Sequence, residues 1–216
     1  MIEGAKWCGK TSTAEQAAKS ALYIANPEVE QQAELMASIS PSRLLEGDTP
    51  RLIDEWQLIP TIWDAIRYEV NHRDEMGQFI LTGSAVPIST DSIHHTGTGR
   101  FSWILMRPMS LYESNESTGS VSLASLFESS HQIEGTNPLD INHLAFALCR
   151  GGWPRSVDLL PEIALEQAFD YFESIIHSDA SRVDGTTRNP ERVRRLMRPY
   201  GRHIELKQLF QQLSPI

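Results

Sequence analysis

Cysteine is nearly absent. Cys8 and Cys149 are the only two in 216 residues, too few for a disulfide scaffold, and they read as reduced thiols of a cytoplasmic protein. Long apolar runs are missing too. No stretch approaches the roughly 18 uninterrupted apolar residues that span a bilayer. Lys6 and Lys10 interrupt the start, where a secretory signal would place its apolar region. Basic residues are in deficit, 19 Lys and Arg against 28 Asp and Glu, for a net charge of −9. That balance excludes a chain that coats nucleic acid or anionic membrane over its whole surface. Aromatics are not lacking: with 5 Trp, 7 Phe and 5 Tyr in a chain 40% hydrophobic, disorder throughout is excluded. The length suits one large domain or two small ones.

The charge is unevenly spread. Residues 182–202 hold seven arginines (182, 188, 192, 194, 195, 198 and 202) against Asp184 and Glu191, a local charge of +5 that leaves −14 for the rest. The segment is either a solvated face or a contact for DNA or a protein partner.

Periodicity orders the chain. Met1-Ile2-Glu3 supplies a stub of strand before Gly4, and the Ala-rich run from Thr11 to Ala25 predicts a helix stopped by Asn26-Pro27. A second helical stretch covers 28–46 with a break near Ser40-Pro41. Pro50 to Ile53 and Gln78 to Leu81 predict short buried strands, with a helix from Pro60 to Val70 between them. A Ser/Thr/His/Gly-rich loop over 88–99 precedes a third strand at Phe101 to Met106. Strands separated by helices indicate an α/β unit with a parallel sheet. Residues 113–137 are Ser/Glu/Gly-rich and read as a linker, after which 139–149, 161–178, 189–200 and 204–213 are helical. The expected organisation is therefore a core over 1–114, a linker over 115–137 and a helical domain over 138–216.

Gly4-Ala5-Lys6-Trp7-Cys8-Gly9-Lys10-Thr11 fits the phosphate-loop pattern G-x-x-x-x-G-K-[ST]. Small residues let main-chain N–H groups curl around phosphates, and the helix starting at Gly9, with Ser12 among the residues expected to bind the nucleotide, turns its positive end toward them. Lys10 can reach the β- and γ-phosphates of a nucleotide, and the Thr11 hydroxyl can ligate Mg²⁺. A chance match occurs in about one chain in a hundred of this length. Leu52-Ile53-Asp54-Glu55 is an apolar strand ending in two carboxylates. Asp54 would serve the metal and Glu55 would polarise an attacking water as general base. Thr82-Gly83-Ser84 ends the next strand, where a polar side chain can sense the γ-phosphate. Arg100 and Arg107 flank the third strand, and either could neutralise phosphoryl charge on its own chain or in a neighbouring subunit. His94-His95 lack companions at ligand spacing apart from Asp91 and read as solvated loop histidines. Cys8 lies inside the phosphate loop, so alkylation there is expected to block nucleotide binding.

GAKWCGKT, PRLIDEWQLIP, FILTGSA, MRPMSLYES, RGGWP and SRVDGTTRNPERVRRLMRPYGR follow one another in that order. Together they resemble the prokaryotic AAA-type ATP-binding proteins that carry a helical C-terminal domain of unknown function, over essentially the whole chain. The resemblance implies a P-loop ATPase core related to the origin-recognition and STAND-type branches, then helices and a winged-helix-like end. It assigns phosphate and Mg²⁺ to Lys10 and Thr11, metal and water to Asp54 and Glu55, the sensor position to Ser84, and the loop arginine to Arg100. Both ends are short against that pattern: Met1-Ile2-Glu3 stand where several apolar residues are expected, and no strand pair follows Arg202. A truncated copy is the expectation, with ATP binding outlasting turnover. The alternative is a non-catalytic remnant that contacts DNA or protein through 182–202, and oligomers fit either reading. A nucleotide or sugar kinase is disfavoured, because no acceptor-site motif or Arg-rich lid is identifiable.

Overall fold

The computed structural model describes residues 1–73, 75–83, 99–128, 134–180 and 186–203. Five strands form one parallel sheet: β1 (Ile2–Gly4), β2 (Ser20–Tyr23), β3 (Arg51–Asp54), β4 (Phe79–Gly83) and β5 (Ile104–Met106). Their order is β2-β3-β4-β1-β5, so the first strand in sequence lies between the fourth and the fifth. A parallel sheet sends every strand's carboxyl end to the same edge, where open α/β folds bind ligands. Gly4, Asp54 and Gly83 all end their strands there.

The helix expected over 11–25 is not one element. Helix α1 spans Lys10–Glu15, and Ser20–Tyr23 is strand β2. Local propensity favours helix in this Ala-rich run, but β2 gains a four-residue ladder with β3, Ser20 against Arg51 through Tyr23 against Asp54. Lys19 N–H to the Pro50 carbonyl (2.8 Å) and Ile24 N–H to the Asp54 carbonyl (3.2 Å) extend it. Ile24 is fully buried at its end. Long-range pairing overrides a preference worth a few tenths of a kcal/mol per residue. The third expected strand is shorter than its apolar run: Phe101 leaves the ladder and stacks on Trp63, ring centroids 4.0 Å apart.

The other elements follow their signals. Helix α2 (Pro27–Ile39) starts on an Asn26 cap that accepts the Glu28 N–H at 3.1 Å, with Pro27 in the first turn. A 3₁₀ turn at Pro41–Leu45 takes up the break at Pro41. Helix α3 (Ile62–His72) buries Ile62, Trp63 and Ile66. These pack with Ile24, Ala33, Leu45, Ile53, Trp56 and Leu81 into one core against the sheet. Truncating one of its Ile or Leu residues to Ala would cost about 2–5 kcal/mol.

Beyond β5 the chain turns through 109–117 and forms α4 (Leu123–Glu128), a short helix within the Ser/Glu/Gly-rich stretch. Then come α5 (Ile141–Arg150), α6 (Pro154–Val157) and α7 (Pro161–Ser174), which runs on as a π turn at Ile175–Asp179, and finally α8 (Pro190–His203). The sequence places a boundary near 115–135, whereas the compact units are 1–168 and 169–216. The reason is visible within the first unit. Arg150, 4% exposed, makes a bidentate ion pair with Glu116 (2.7 and 3.0 Å), and Met109 N–H donates to the Gly152 carbonyl at 2.6 Å. In the second unit Arg194 grips Glu173 at 2.6 and 2.7 Å, while Ile176 and Val193 are buried. The helix expected over 204–213, and with it the winged-helix-like end, lies outside the described residues. No helix among the described residues is long and apolar enough to cross a membrane.

Candidate functional site

The phosphate-loop pattern occupies the turn between β1 and α1. Its backbone needs the residues that stand there. Gly9 has φ 99° and Trp7 φ 63°, both in the left-handed region. A Cβ on Gly4 would lie 2.1 Å from the Met106 carbonyl oxygen, so only glycine lets β1 leave the sheet beside β5. Lys10 is 7% exposed, and its Nζ donates to the carbonyls of Gly4 (3.1 Å) and Ala5 (2.8 Å) across the loop. A buried ammonium that bonds two main-chain carbonyls and, among the described residues, no carboxylate is suited to an anionic ligand, which would bring the opposite charge.

Two strands away the carboxylate falls into place. Asp54 pairs with Thr82 in the β3–β4 ladder. Its Oδ1 accepts hydrogen bonds from Thr11 Oγ1 (2.8 Å) and from Thr82 Oγ1 (2.6 Å). Thr11 and Asp54, 43 positions apart, therefore present hard oxygens side by side, a donor set that suits Mg²⁺ completed by phosphate oxygens and water. Among the described residues no cluster of three or more His, Cys, Asp or Glu forms a separate metal site. Glu55 follows in a left-handed conformation (φ 55°), and its carboxylate accepts from Gln57 Nε2. The Gln57 amide lies across the end of β4, where a Cβ on Gly83 would meet its Oε1 at 2.3 Å.

Of the predicted loop residues, Ala5 and Lys6 are half-buried, Ser12 is exposed on α1 and Trp7 is 57% exposed. Cys8 is fully buried with its thiol toward the Met106 carbonyl at 3.7 Å. This burial argues against the expected block of nucleotide binding by alkylation at Cys8: the thiol faces the β5 backbone rather than solvent. Ser84 and His94-His95 lie outside the described residues. Arg100 is not brought to the loop. It precedes β5 at the amino-terminal edge of the sheet, where its guanidinium Nε donates to Asn71 at the end of α3. Arg107, which directly follows β5, is the arginine at the loop's edge, beside a cleft of about 500 Å³ bordered by Thr13, Met106 and Glu113.

A family model described as an AAA domain matches residues 1–115, just over half of the chain. The chain belongs to the AAA family. No curated protein and no solved structure matches it. Residues 1–115 are thus a nucleotide-binding AAA domain, and its parallel sheet carries the residues assigned to phosphate and metal along one edge.

Sequence reasoning missed two residues that bond to the site's own residues. Gln57 carried a signal, a polar residue inside the apolar run Trp56-Gln57-Leu58-Ile59. Trp153 did not. Its indole N–H donates to the Lys6 carbonyl at 3.0 Å across 147 positions, a contact no local pattern announces.

Proposed function

We propose that this AAA domain binds Mg²⁺-ATP at the phosphate loop and hydrolyses it slowly. The observation that carries the reading is the cluster at one sheet edge: Lys10 on main-chain carbonyls beside Thr11, Asp54 and Thr82. Lys10 exchanges the Gly4 and Ala5 carbonyls for β- and γ-phosphate oxygens, a charge-assisted contact in place of two neutral ones. Thr11 and Asp54 hold Mg²⁺, which neutralises phosphate charge when bound. Thr82 keeps Asp54 turned toward Thr11. Glu55 is the general base for the attacking water, and it must leave Gln57 to do so, which makes turnover slow. Arg107, rather than Arg100, is placed to meet phosphoryl charge on the same chain. Ser84 keeps its assignment as the sensor, one residue past Gly83.

The finer resemblance, to prokaryotic ATP-binding proteins with a helical C-terminal domain, belongs to the same proposal and rests on the MRPMSLYES and RGGWP runs. The two free thiols suit a reducing, cytoplasmic setting.

Calorimetric titration of the full chain with Mg²⁺-ATP tests the reading. Lys10→Ala is expected to weaken binding at least about 100-fold, an effect near 2.7 kcal/mol. Glu55→Gln is expected to keep binding and abolish phosphate release. Equal affinities of wild type and Lys10→Ala would overturn the proposal.

A second reading has its own observation. Arg192, Arg195 and Arg198 are exposed at three-residue spacing on α8, while Arg194 is turned aside to Glu173. Such a stripe suits a duplex-DNA backbone. Neutralising three phosphates would give log K against log salt a slope of roughly −3. Absence of any complex with duplex DNA at low salt removes this reading.

A further inference from the structure

The RGGWP run did not enter the nucleotide chemistry, yet it is pinned between Glu116, Met109 and the phosphate loop. Arg150 is locked to Glu116. Gly151 has φ 76°, and a Cβ there would meet the Trp153 ring at 2.3 Å. Gly152 lies so close to Met109 that a Cβ would be 2.1 Å from its carbonyl oxygen. Trp153 donates its indole N–H to the Lys6 carbonyl at 3.0 Å. Pro154 packs toward Gly9, its Cγ 3.6 Å from the place of a Cβ on that glycine. Two glycines bring the turn close, and the residues after them lie beside the loop at Lys6 and Gly9.

We propose that Trp153 is a positioning residue of the nucleotide site, which sets the orientation of the Lys6–Trp7 peptide and so pre-organises the phosphate loop. In a planar trans peptide the N–H points opposite to the C=O. Holding the Lys6 carbonyl on the Trp153 side therefore also fixes which way the Trp7 N–H points. Trp7 is left-handed (φ 63°), a conformation that costs about 1–2 kcal/mol for a residue with a side chain, so a hold on this peptide steadies the loop. Trp153 provides it from beyond residue 150, which couples the loop's shape to the α5–α6 turn. The inference rests on the loop's being a nucleotide site.

Trp153→Phe keeps an aromatic ring and removes the donor. Titrated with Mg²⁺-ATP at 20 °C, it is expected to bind about five- to tenfold more weakly than wild type, as loss of one pre-organising hydrogen bond implies. Trp63→Phe, a change in the core cluster where Trp63 stacks on Phe101, serves as control: it is expected to lower the thermal midpoint and leave the affinity of the folded protein unchanged. A merely structural role for Trp153 would make the two variants behave alike, and that outcome overturns the inference. If Trp153→Phe does not fold, the wild-type chain labelled with ¹⁵N decides. Its Trp153 indole N–H resonance is expected to shift on saturation with a non-hydrolysable Mg²⁺-ATP analogue, and an unmoved resonance overturns the inference. Lys10→Ala separates the two claims. If Lys10→Ala binds like wild type, the nucleotide reading falls. If Lys10→Ala loses binding while Trp153→Phe retains full affinity, the positioning role alone falls.

Discussion

Two carboxylates of this chain sit among hydroxyls and are held in opposite ways. Glu116 accepts from Ser114 Oγ at 2.6 Å and meets the Arg150 guanidinium with both oxygens. Asp54 accepts from two hydroxyls, Thr11 and Thr82, and no cationic side chain among the described residues bonds to it. The cations divide likewise. Arg150 spends its donors on a carboxylate and the Gly151 carbonyl, whereas Lys10, among the described residues, reaches main-chain carbonyls. A closed ion pair ties two segments together and offers nothing to a ligand. An aspartate and a lysine that bond no opposite charge among the described residues form the proposed place for a metal and a phosphate. The difference between structure and site is whether the charge is cancelled inside the protein.

The comparison is broken most severely at the closed pair. Glu116→Ala leaves the Arg150 guanidinium buried without a counter-charge, and urea unfolding is expected to show a loss of about 3–5 kcal/mol. The double variant Glu116→Ala with Arg150→Met should recover part of that loss, because no unpaired charge remains. Acid does the same job reversibly. Hydrogen bonding from Arg150 holds the Glu116 carboxyl below its ordinary value of 4.5. A depressed folded-state value means stability that is fully present above the unfolded value and lost as pH falls through the folded one. Thermal midpoints should therefore decline below about pH 4.5, and less steeply in the double variant.

At the open site the expected effect on the ligand-free fold is smaller. Asp54→Ala removes two hydrogen bonds from hydroxyls at a cost of about 1–2 kcal/mol, but it should abolish the Mg²⁺ dependence of nucleotide binding in calorimetry. If Asp54→Ala destabilised the free protein as severely as Glu116→Ala, the two clusters would not differ in kind. The smallest effect sharpens the picture at the loop. Iodoacetamide should modify exposed Cys149 and spare buried Cys8, as read by mass spectrometry, with Mg²⁺-ATP affinity unchanged.

Much of the site was legible because its motifs are local. GAKWCGKT sets a turn whose glycines are demanded by a left-handed φ at Gly9 and by the approach of Met106 at Gly4. Leu52-Ile53-Asp54-Glu55 reads as a buried strand that delivers its carboxylates at its end. What was not legible depends on partners far along the chain. Ser20–Tyr23 looks helical until β3 offers its free edge. Arg100 looks close to the site because it is near β5 in sequence, but it stands before the strand, and a parallel strand puts its two flanks at opposite edges. Gln57 matters through Glu55 and Gly83, and Trp153 through Lys6.

The sequence by itself determined the phosphate loop, the carboxylates that follow an apolar strand, and an α/β class, because each depends on residues within a few positions of one another. Only the tertiary structure decided that Thr11 and Thr82 share one oxygen of Asp54, that Arg150 and Glu116 close on each other, and that the RGGWP turn grips the loop. Those contacts span 28 to 147 positions. The first exists because a parallel sheet gathers the ends of distant strands at one edge, the others because the turns after β5 and α5 fold back, and no pattern along the chain records which segments become neighbours.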